Sequence, residues 1–323
     1  MMYILVALIV LVTYYFLWIC ERKLRHVREA KRRGCLPAAS VPSDGFFGLG
    51  TLRQSIRATK AGYGPQWMHN SLDEVGKHVH TVRARIFDYE LLITRDTENA
   101  KAIFNTQGAD FDIGSHREGT SKSVFGLGVM TARGKEWKHS RALIRPQFAR
   151  GNVANLPMFE KHFQSLLKKL KVDNEGWTDQ IDLQPLFQSF TLDTGTEFLY
   201  GQSVFSQDPE ARARLPLSWD KDGPDIANFG HHLDKVKGYL DRQGALAKYN
   251  WLLRSHGFDQ HRKEIWKFVD YFVRKALLEN DEEKRVQTSD TMQGRFVLLN
   301  ELVKETRNPL ELRNETLNVL HAS

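Results

Sequence analysis

Apolar residues recur at helical spacing along most of the chain, and they form three long stripes. Residues three and four apart share one face of a helix, so each stripe predicts an amphipathic helix packed against a core. The members are Leu156, Phe159, Phe163, Leu166 and Leu170 in the first stripe, Leu186, Phe187, Phe190 and Leu199 in the second, and Ile265, Phe268, Val269, Phe272, Val273 and Ala276 in the third.

One short segment alternates apolar and polar residues instead, and a short apolar segment follows it. Val82, Ala84 and Ile86 alternate with arginines, and residues 91–94 form an apolar return segment after a turn at Asp88. A period of two residues indicates a strand with one solvated face, so the two segments predict a β-hairpin. The expected fold class is therefore mainly α with a small N-terminal β-sheet, an α+β arrangement.

Capping and turn residues indicate where these elements begin and end. Asp96 and Asp182 are candidate N-caps, and Gly201 is a candidate helix end. Residues 66–76 and 296–305 are predicted to form shorter helices. Residues 108–128 and 281–294 are rich in glycine, serine or charge, and they predict two long loops.

The first twenty residues carry no charge and are almost wholly apolar. A helix of about 20 such residues spans the ~30 Å hydrocarbon layer of a bilayer. Because charges follow this run instead of preceding it, the pattern indicates an uncleaved signal anchor in the endoplasmic reticulum membrane, single-pass, with the globular part cytosolic. We expect a transmembrane anchor at 1–20, a basic and Pro/Gly-rich linker at 21–50 and a globular domain at 51–323. The linker cations are Arg22, Lys23, Arg25, Arg28, Lys31, Arg32 and Arg33.

The formal net charge is +7, and most of it is local. The seven linker cations against Glu21 and Glu29 account for +5, so the remaining chain is nearly neutral. The excess is a juxtamembrane cluster suited to membrane lipid headgroups. Without a basic patch on the globular domain, we expect no nucleic-acid partner. Cys20 and Cys35 are the only cysteines, which is typical of a reducing compartment without a disulfide framework.

Motifs for several other chemistries are absent from the sequence. It contains no G-x-G-x-x-G, P-loop, C-x-x-C or H-E-x-x-H pattern. The histidine pairs His78 with His80 and His231 with His232 lack the context of a metal site, and we interpret them as surface histidines. A glycosylation sequon at Asn314 would stay unused in a cytosolic domain.

The stretch before Pro146 holds the strongest chemical signal. No helix breaker lies between Arg133 and Ile144, whereas the proline ring removes a backbone donor and should end the helix. Trp137 and Arg141 stand at i and i+4, on one face. An indole N–H, which only donates, and a permanently charged guanidinium together suit a buried anionic group. The alternative interpretation is that Trp137 is a core residue and Arg141 a solvated one.

The sequence Trp-Lys-His-Ser-Arg at 137–141, followed by Arg-Pro-Gln-Phe at 145–148, resembles the C-helix of heme-thiolate monooxygenases, the cytochrome P-450 superfamily. The longer run from 128 to 150 looks most like the fungal members that hydroxylate n-alkanes and fatty acids. The resemblance implies the N-terminal part of the cytochrome P-450 fold preceded by one transmembrane helix. It also implies heme as the cofactor, an apolar small molecule as the substrate and an NADPH-cytochrome reductase as the partner.

The resemblance also implies roles for the residues around this helix. Trp137 and Arg141 would hydrogen-bond the heme propionates. Val129 and Met130 stand where the family places an apolar side chain above the porphyrin, in the substrate pocket; the alternative is that they only pack under the helix. The face on which a reductase docks would include Lys135, Lys138, Arg145 and Arg150.

Several features of the family do not occur in this sequence. Residues 309–323 resemble the opening of the I-helix, after which the family has an acid–alcohol pair, a buried E-x-x-R helix and a Phe-x-x-Gly-x-Arg-x-Cys loop. The loop cysteine supplies the thiolate that makes the iron electron-rich. Neither Cys20 nor Cys35 can substitute, since both precede the globular domain. We therefore expect 51–323 to be an incomplete domain with no catalytic residue and no metal ligand of its own.

Two hypotheses about function follow from the resemblance. In the first, the complete protein is a monooxygenase that inserts one oxygen atom of O2 into an apolar C–H bond of an alkane or fatty acid, and the chain as written is truncated and inactive. The alternative is a non-catalytic membrane-anchored fragment or a pseudogene product.

Overall fold

The computed structural model describes residues 2–42, 45, 48–86, 89–153, 155–214, 228–245, 256–285 and 296–322. Helices dominate, and one small sheet lies in the first third of the chain. The backbone forms two compact units, Met1–Asp110 and Phe111–Ser323. The predicted fold class, mainly α with a small N-terminal sheet, is confirmed.

The first unit combines helices with a mixed three-stranded sheet. Its elements are α1 Met2–Arg32, β1 Ala39–Ser40, α2 Leu49–Lys60, α3 Gly64–Asp73, β2 Thr81–Ile86, β3 Tyr89–Thr94 and α4 Thr97–Lys101, and a π turn at Ala102–Thr106 and a 3-10 turn at Gly108–Asp110 follow. The strand order is β1-β2-β3. β1 runs parallel to β2 with Ala39 opposite Val82, and β2 runs antiparallel to β3 with Thr81 opposite Thr94.

The predicted hairpin is confirmed, and its burial follows the sequence pattern. Val82, Ala84 and Ile86 are buried, and the residues between them are half-buried. The predicted turn residue Asp88 lies outside the described residues. At the start of α2, Gly48 has φ +72°, and a Cβ there would stand 2.0 Å from the carbonyl oxygen of Arg85. Glycine therefore lets this backbone approach β2 closely.

The first helix, α1, joins the uncharged and the basic parts of the sequence in one helix of 31 residues. Glu21 pairs with Arg25 and Glu29 with Arg33, each pair one turn apart at the basic end. Across the residues that the structure describes, no helix combines the length and the apolar character that a membrane crossing needs. The anchor at 1–20 stays a prediction.

In the described part of the second unit the elements are helices and helical turns, and one isolated β-bridge joins Val172 to Thr178. Its elements are α5 Gly114–Phe125, α6 Gly134–Ile144, α7 Arg150–Val153, α8 Leu156–Leu167, α9 Leu183–Tyr200, α10 Pro209–Ala213, α11 Phe229–Ala245, α12 His256–Arg285, α13 Leu298–Glu305 and α14 Pro309–Ala322, with a 3-10 turn at Arg145–Phe148. The predicted cap is confirmed, because the Asp182 carboxylate accepts from the Gln184 backbone N–H at 3.0 Å. Gly201 ends α9 with φ +75°.

The third apolar stripe forms the centre of this unit, as predicted. Its six members on α12 are all buried. Phe229 stacks on Phe268 with ring centroids 3.8 Å apart, and Tyr200 stacks on Phe272 at 5.1 Å. Burial raises the pKa of the Tyr200 phenol. The long helix α12 is thus the element around which its neighbours pack.

The first stripe, on α8, faces the core only in part. Leu156 is 73% exposed and Phe163 is 41% exposed, whereas Leu166 of the same stripe is buried, as are Met158 and His162 outside it. His162 Nε2 lies 2.6 Å from Glu197 Oε2 on α9, and both side chains are buried. This buried hydrogen-bonded pair holds α8 away from the orientation that its apolar residues alone predict.

The two predicted loops also need correction. Residues 108–128 contain helix α5, so the prediction of one long loop there is wrong. The last-turn carbonyls of α5 are bonded from other helices: Arg262 Nη1 donates to Ser123 O at 3.1 Å and Trp266 Nε1 to Val124 O at 2.7 Å. In the second region α12 continues through Arg285, and the rest of the predicted loop, 286–294, lies outside the described residues.

Candidate functional site

Helix α6 is the scaffold of the predicted site. It begins after Arg133, whose backbone is extended, and ends at Ile144, where a 3-10 turn containing Pro146 follows. The predicted helix and its end at the proline are confirmed. Arg133 Nε donates to Asp112 Oδ2 at 2.6 Å, and this bond lowers the pKa of the Asp112 carboxyl.

Trp137 and Arg141 lie on one face of α6, as the spacing predicts. The guanidinium carbon of Arg141 is 5.3 Å from the centre of the Trp137 ring. Trp137 is 36% exposed and is not a core residue, and Arg141 is exposed. Among the described residues, no protein group accepts a hydrogen bond from the indole N–H or from the guanidinium. Two donors, one of them cationic, are therefore available on this face.

The neighbouring face of α6 is fixed to α14. His139 Nε2 lies 2.6 Å from Glu311 Oε1, and Thr306 Oγ1 donates to Glu311 Oε2 at 2.5 Å. Ser140 and Ile144 are buried on the same side of the helix. These contacts fix the rotation of α6, and with it the direction in which its free donors point.

The loop between α5 and α6 carries Val129 and Met130, and both residues are half-buried. The Met130 backbone N–H donates to Asn318 Oδ1 on α14 at 3.0 Å. Asn318 Nδ2 donates to the carbonyl oxygens of Phe125 at 2.9 Å and Asn314 at 2.8 Å. The structure thus brings the predicted pocket residues against α14, through an asparagine that the sequence did not single out.

Asn314 is a second case in which the structure changes the interpretation of the sequence. The sequence marked it only as part of a glycosylation sequon, but the side chain is buried on α14. Asn314 and Asn318 are four residues apart in an apolar helix. Two amides one turn apart, on a helix that also carries Leu312, Leu317 and Leu320, are the signal that could have indicated a buried contact.

A groove of about 430 Å³ separates part of α6 from α14. Its lining includes apolar residues from both sides together with Lys135, His139 and Glu315. Burial raises the pKa of the Glu315 carboxyl, while the Ser140 hydroxyl and the Val129 backbone N–H oppose that rise. The groove lining therefore mixes apolar, polar and charged residues, and burial favours the neutral form of the Glu315 carboxyl.

The four predicted docking cations lie between the start of α6 and the start of α7. Lys135, Lys138 and Arg145 are exposed. Lys135 lines the groove, whereas Lys138 and Arg145 lie outside its lining. Arg150 is the first residue of α7. Among the described residues, no acidic side chain pairs with Lys135, Lys138 or Arg145.

Two of the four histidines that the sequence assigned to the surface belong to a histidine cluster. His231 and His232 on α11 stand beside His261 on α12, with ring centroids 5.0 to 5.9 Å apart. His232 Nδ1 lies 2.8 Å from His261 Nδ1. Within the part of the chain that the structure describes, no group of three or more histidine, cysteine, aspartate or glutamate residues is arranged to hold a metal ion.

Comparison with known proteins places these residues in context. A sequence model of the family "Cytochrome P450" matches residues 60–323. Cytochrome P450 52A9 of Candida maltosa is 35% identical over 321 residues, which cover 99% of this chain and 58% of the relative. Cytochrome P450 52A12 of Debaryomyces hansenii is 36% identical over 292 residues, covering 90% of this chain and 54% of the relative.

A third relative extends the match beyond these two yeasts. Cytochrome P450 monooxygenase g430 of a Fusarium species is 34% identical over 322 residues, covering 98% of this chain and 56% of the relative. The chain thus spans between half and three fifths of the length of each of these three proteins. The matched family region includes α6, the α5–α6 loop and α14.

Proposed function

The chain belongs to the cytochrome P450 family, and from that premise we propose that it serves heme-dependent monooxygenation, in which one oxygen atom of O2 enters an apolar C–H bond. Alkanes and fatty acids are the proposed substrate class. The observation that carries the proposal is the free donor pair of Trp137 and Arg141 on a helix inside the matched region. When bound, heme supplies the iron at which dioxygen is activated.

The donor set of α6 fits the acidic edge of heme. The indole N–H of Trp137 and the guanidinium of Arg141 can donate to two carboxylates, and Arg141 can neutralise part of their charge. The His139–Glu311 contact keeps α6 from rotating, so these donors are preorganised. The sequence has no cysteine after Cys35, and we place the iron thiolate in a longer chain of the relatives' length.

The proposed substrate side is the α5–α6 loop. Val129 and Met130 offer apolar side chains that would exclude water from the reacting C–H bond. Hydrogen bonds to α14 fix their backbone. We propose that residues 51–323, which include this loop, correspond to the N-terminal part of the cytochrome P450 fold.

A heme titration of the purified chain, followed by Soret absorbance, tests the site. Arg141→Ala should weaken heme binding about tenfold, since a hydrogen bond to a charged group contributes ~1.5–3 kcal/mol. Lys135→Ala is the matched control, because residue 135 stands two positions before Trp137 and six before Arg141 and therefore removes a cation from another face of α6. Equal heme affinity in these two variants would remove the assignment of Arg141 to the propionates.

The oxidative chemistry itself needs a second test. In a chain extended to the relatives' length, with NADPH-cytochrome reductase, we expect a red-shifted Soret band of the reduced carbon monoxide complex and hydroxylation of dodecanoic acid. The 323-residue chain should show neither, because it has no cysteine after Cys35. A thiolate-type spectrum from the 323-residue chain would contradict this part of the proposal.

The second candidate is a non-catalytic membrane-anchored protein that keeps this scaffold. In that case the donors of α6 would bind heme without activating dioxygen, or would bind no heme. The extended chain separates the two candidates: hydroxylation supports the enzyme, and heme binding without hydroxylation supports the non-catalytic protein.

The electron-donating partner we propose is an NADPH-cytochrome reductase with an acidic docking surface. Lys138 and Arg145 are exposed and form no ion pair with a described residue, which leaves their charge available. Exposed charges act over ~8–10 Å at physiological salt. Lys138→Glu should therefore slow reduction of the extended chain at low salt, and an unchanged rate in stopped-flow measurements would argue against this surface.

For the first residues we propose an anchor in the endoplasmic reticulum membrane at 1–20, with a linker at 21–50. The uncharged sequence supports it, and so does the exposure of apolar side chains on α1, such as Leu11 at 66% and Phe16 at 64%. The basic end of α1 would then meet anionic lipid headgroups. Alkaline carbonate should leave the chain in the membrane pellet; release into the supernatant would contradict the anchor.

A further inference from the structure

The Asn318 side chain on α14 meets the backbone of one short segment, residues 125–130. Asn318 Oδ1 accepts from the Met130 N–H at 3.0 Å, and Asn318 Nδ2 donates to the Phe125 carbonyl at 2.9 Å. Asn318 is fully buried, with 0% exposure. Its second amide hydrogen goes to the Asn314 carbonyl. A single buried side chain thus bonds both ends of the segment, and it uses both of its N–H donors.

The segment is shaped to allow this approach. A Cβ at Gly128 would stand 2.3 Å from Asn318 Nδ2, and one at Gly126 would stand 2.1 Å from Asn314 Oδ1. Gly126 also has φ +64°, which favours glycine. Within the segment, the Gly128 N–H donates to Thr131 Oγ1 at 3.0 Å. At both glycines the backbone of the segment therefore lies so close to α14 that no side chain fits between them.

The same asparagine completes the C-terminal end of α5. The last carbonyls of a helix have no partner within the helix, and a buried one must be satisfied from outside. Arg262 and Trp266 bond the carbonyls of Ser123 and Val124, and Asn318 bonds that of Phe125. Asn318 therefore sets where α5 ends and where the segment with Val129 and Met130 begins.

We propose that Asn318 is a positioning residue of the substrate site, which fixes the backbone at Val129 and Met130 and thereby sets the affinity for apolar substrates. The inference rests on the proposed function, because that function assigns these two residues to the substrate pocket. Asn318 touches no reacting atom in this scheme. It acts through the hydrogen bond to the Met130 N–H.

The test uses the full 323-residue chain and four variants. Asn318→Leu keeps the approximate size and removes all three hydrogen bonds, whereas Asn318→Asp keeps the acceptor for Met130. Gly128→Ala pushes against Asn318 from the loop side without changing it. Thr316→Val is the control, since the Thr316 hydroxyl is buried on the same helix and donates to the Leu312 carbonyl of that helix.

The two readouts are amide hydrogen exchange of residues 126–132 and the affinity for dodecanoic acid. In Asn318→Leu and in Gly128→Ala, exchange at Met130 should rise about fivefold, the ratio that one net hydrogen bond gives. Affinity for dodecanoic acid should fall by a similar factor in both. Asn318→Asp should lie between these variants and the wild type, and Thr316→Val should match the wild type.

Each other outcome has a definite meaning. Unchanged exchange at Met130 in both Asn318→Leu and Gly128→Ala overturns the positioning role. Faster exchange with unchanged affinity for dodecanoic acid also overturns it, because the segment would then not determine substrate binding. If the wild-type chain binds no dodecanoic acid, the proposed function fails at this site, while faster exchange in the variants still supports Asn318 as the residue that fixes the segment. Should Asn318→Leu fail to fold, Gly128→Ala decides.

Discussion

Helices α6 and α12 each carry a tryptophan and an arginine one turn apart, and the two pairs have opposite surroundings. On α12, Trp266 Nε1 donates to the Val124 carbonyl at 2.7 Å, and Arg262 donates to Ser123 and pairs with Asp259 at 2.9 Å. The guanidinium of Arg262 lies 4.6 Å from the Trp266 ring. The Trp266 N–H and both terminal nitrogens of Arg262 are therefore used inside the protein.

On α6 the same residue types at the same spacing find no such partners. Arg141 lies 5.3 Å from the ring of Trp137, much as on α12. However, no described protein group accepts from either donor. The spacing of four residues therefore explains why each pair is in contact, but only the neighbouring helices decide whether its donors are free. A tryptophan and an arginine one turn apart indicate a ligand site only when the fold leaves them unsatisfied.

The largest expected difference between the two pairs is in stability. Trp266→Ala should lower the free energy of unfolding by about 3 kcal/mol, because it removes a large side chain packed against the core and its hydrogen bond to α5. Trp137→Ala should change it by about 0.5 kcal/mol or less, as for other surface substitutions. Urea denaturation of the detergent-solubilised chain measures both. Equal losses would show that Trp137 is part of the core.

The arginines should show the same contrast with a smaller effect. Arg262→Met should cost about 1.5–3 kcal/mol, since it removes a charge-assisted hydrogen bond and an ion pair. Arg141→Met should leave stability within about 0.5 kcal/mol but weaken heme binding. Stability and heme affinity are both measured in both variants, so that each variant is the control for the other. If Arg141→Met proved the more destabilising, its donors would be in use within the fold.

The smallest expected effect is the pH dependence of stability that comes from Glu315 on α14, beside Ser140 of α6. Burial raises the pKa of Glu315 above its ordinary 4.5, with Glu311 adding to the rise and Ser140, Val129 and His139 opposing it. The folded chain therefore keeps a proton that the unfolded chain loses above about pH 4.5. The stabilisation from the protonated Glu315 carboxyl is complete below about pH 4.5, and it is lost as the pH rises through the pKa of Glu315 in the folded chain.

Glu315→Gln should consequently raise the unfolding midpoint near pH 8 and leave it nearly unchanged near pH 4. Thermal unfolding between pH 4 and 8 measures the slope of the unfolding midpoint against pH. Glu136→Gln, at an exposed acid of the same groove, is the control and should keep the wild-type slope. A steeper pH dependence in Glu315→Gln would mean that the folded chain prefers the charged carboxylate.

Several parts of the site followed from sequence alone. Pro146 ends α6, and Trp137 and Arg141 share a face, because helix geometry depends only on spacing and on the proline ring. The α12 stripe and the β2–β3 hairpin were likewise predicted, since strong apolar periodicity leaves one face to bury. Local rules are sufficient wherever one element determines the outcome by itself.

The errors lie where a second element intervenes. The α8 stripe predicted Phe159 and Phe163 in the core, but the buried pair of His162 with Glu197 determines which face of α8 turns inward. Composition predicted a loop at 108–128, but α12 and α14 bond the last carbonyls of α5 and so stabilise a helix there. In both cases the partner is distant in sequence, and periodicity holds no information about it.

The sequence by itself determined the β2–β3 hairpin, helices α6 and α12, the family resemblance and the identity of the donors on α6. Only the tertiary structure decided that those donors are free, that Asn318 fixes the backbone at Met130, and that Asn314 is buried. The physical reason is that helices and strands follow from local periodicity and backbone geometry. Whether a polar group is satisfied depends instead on what lies within hydrogen-bonding distance, about 3 Å, and chain neighbours rarely supply it.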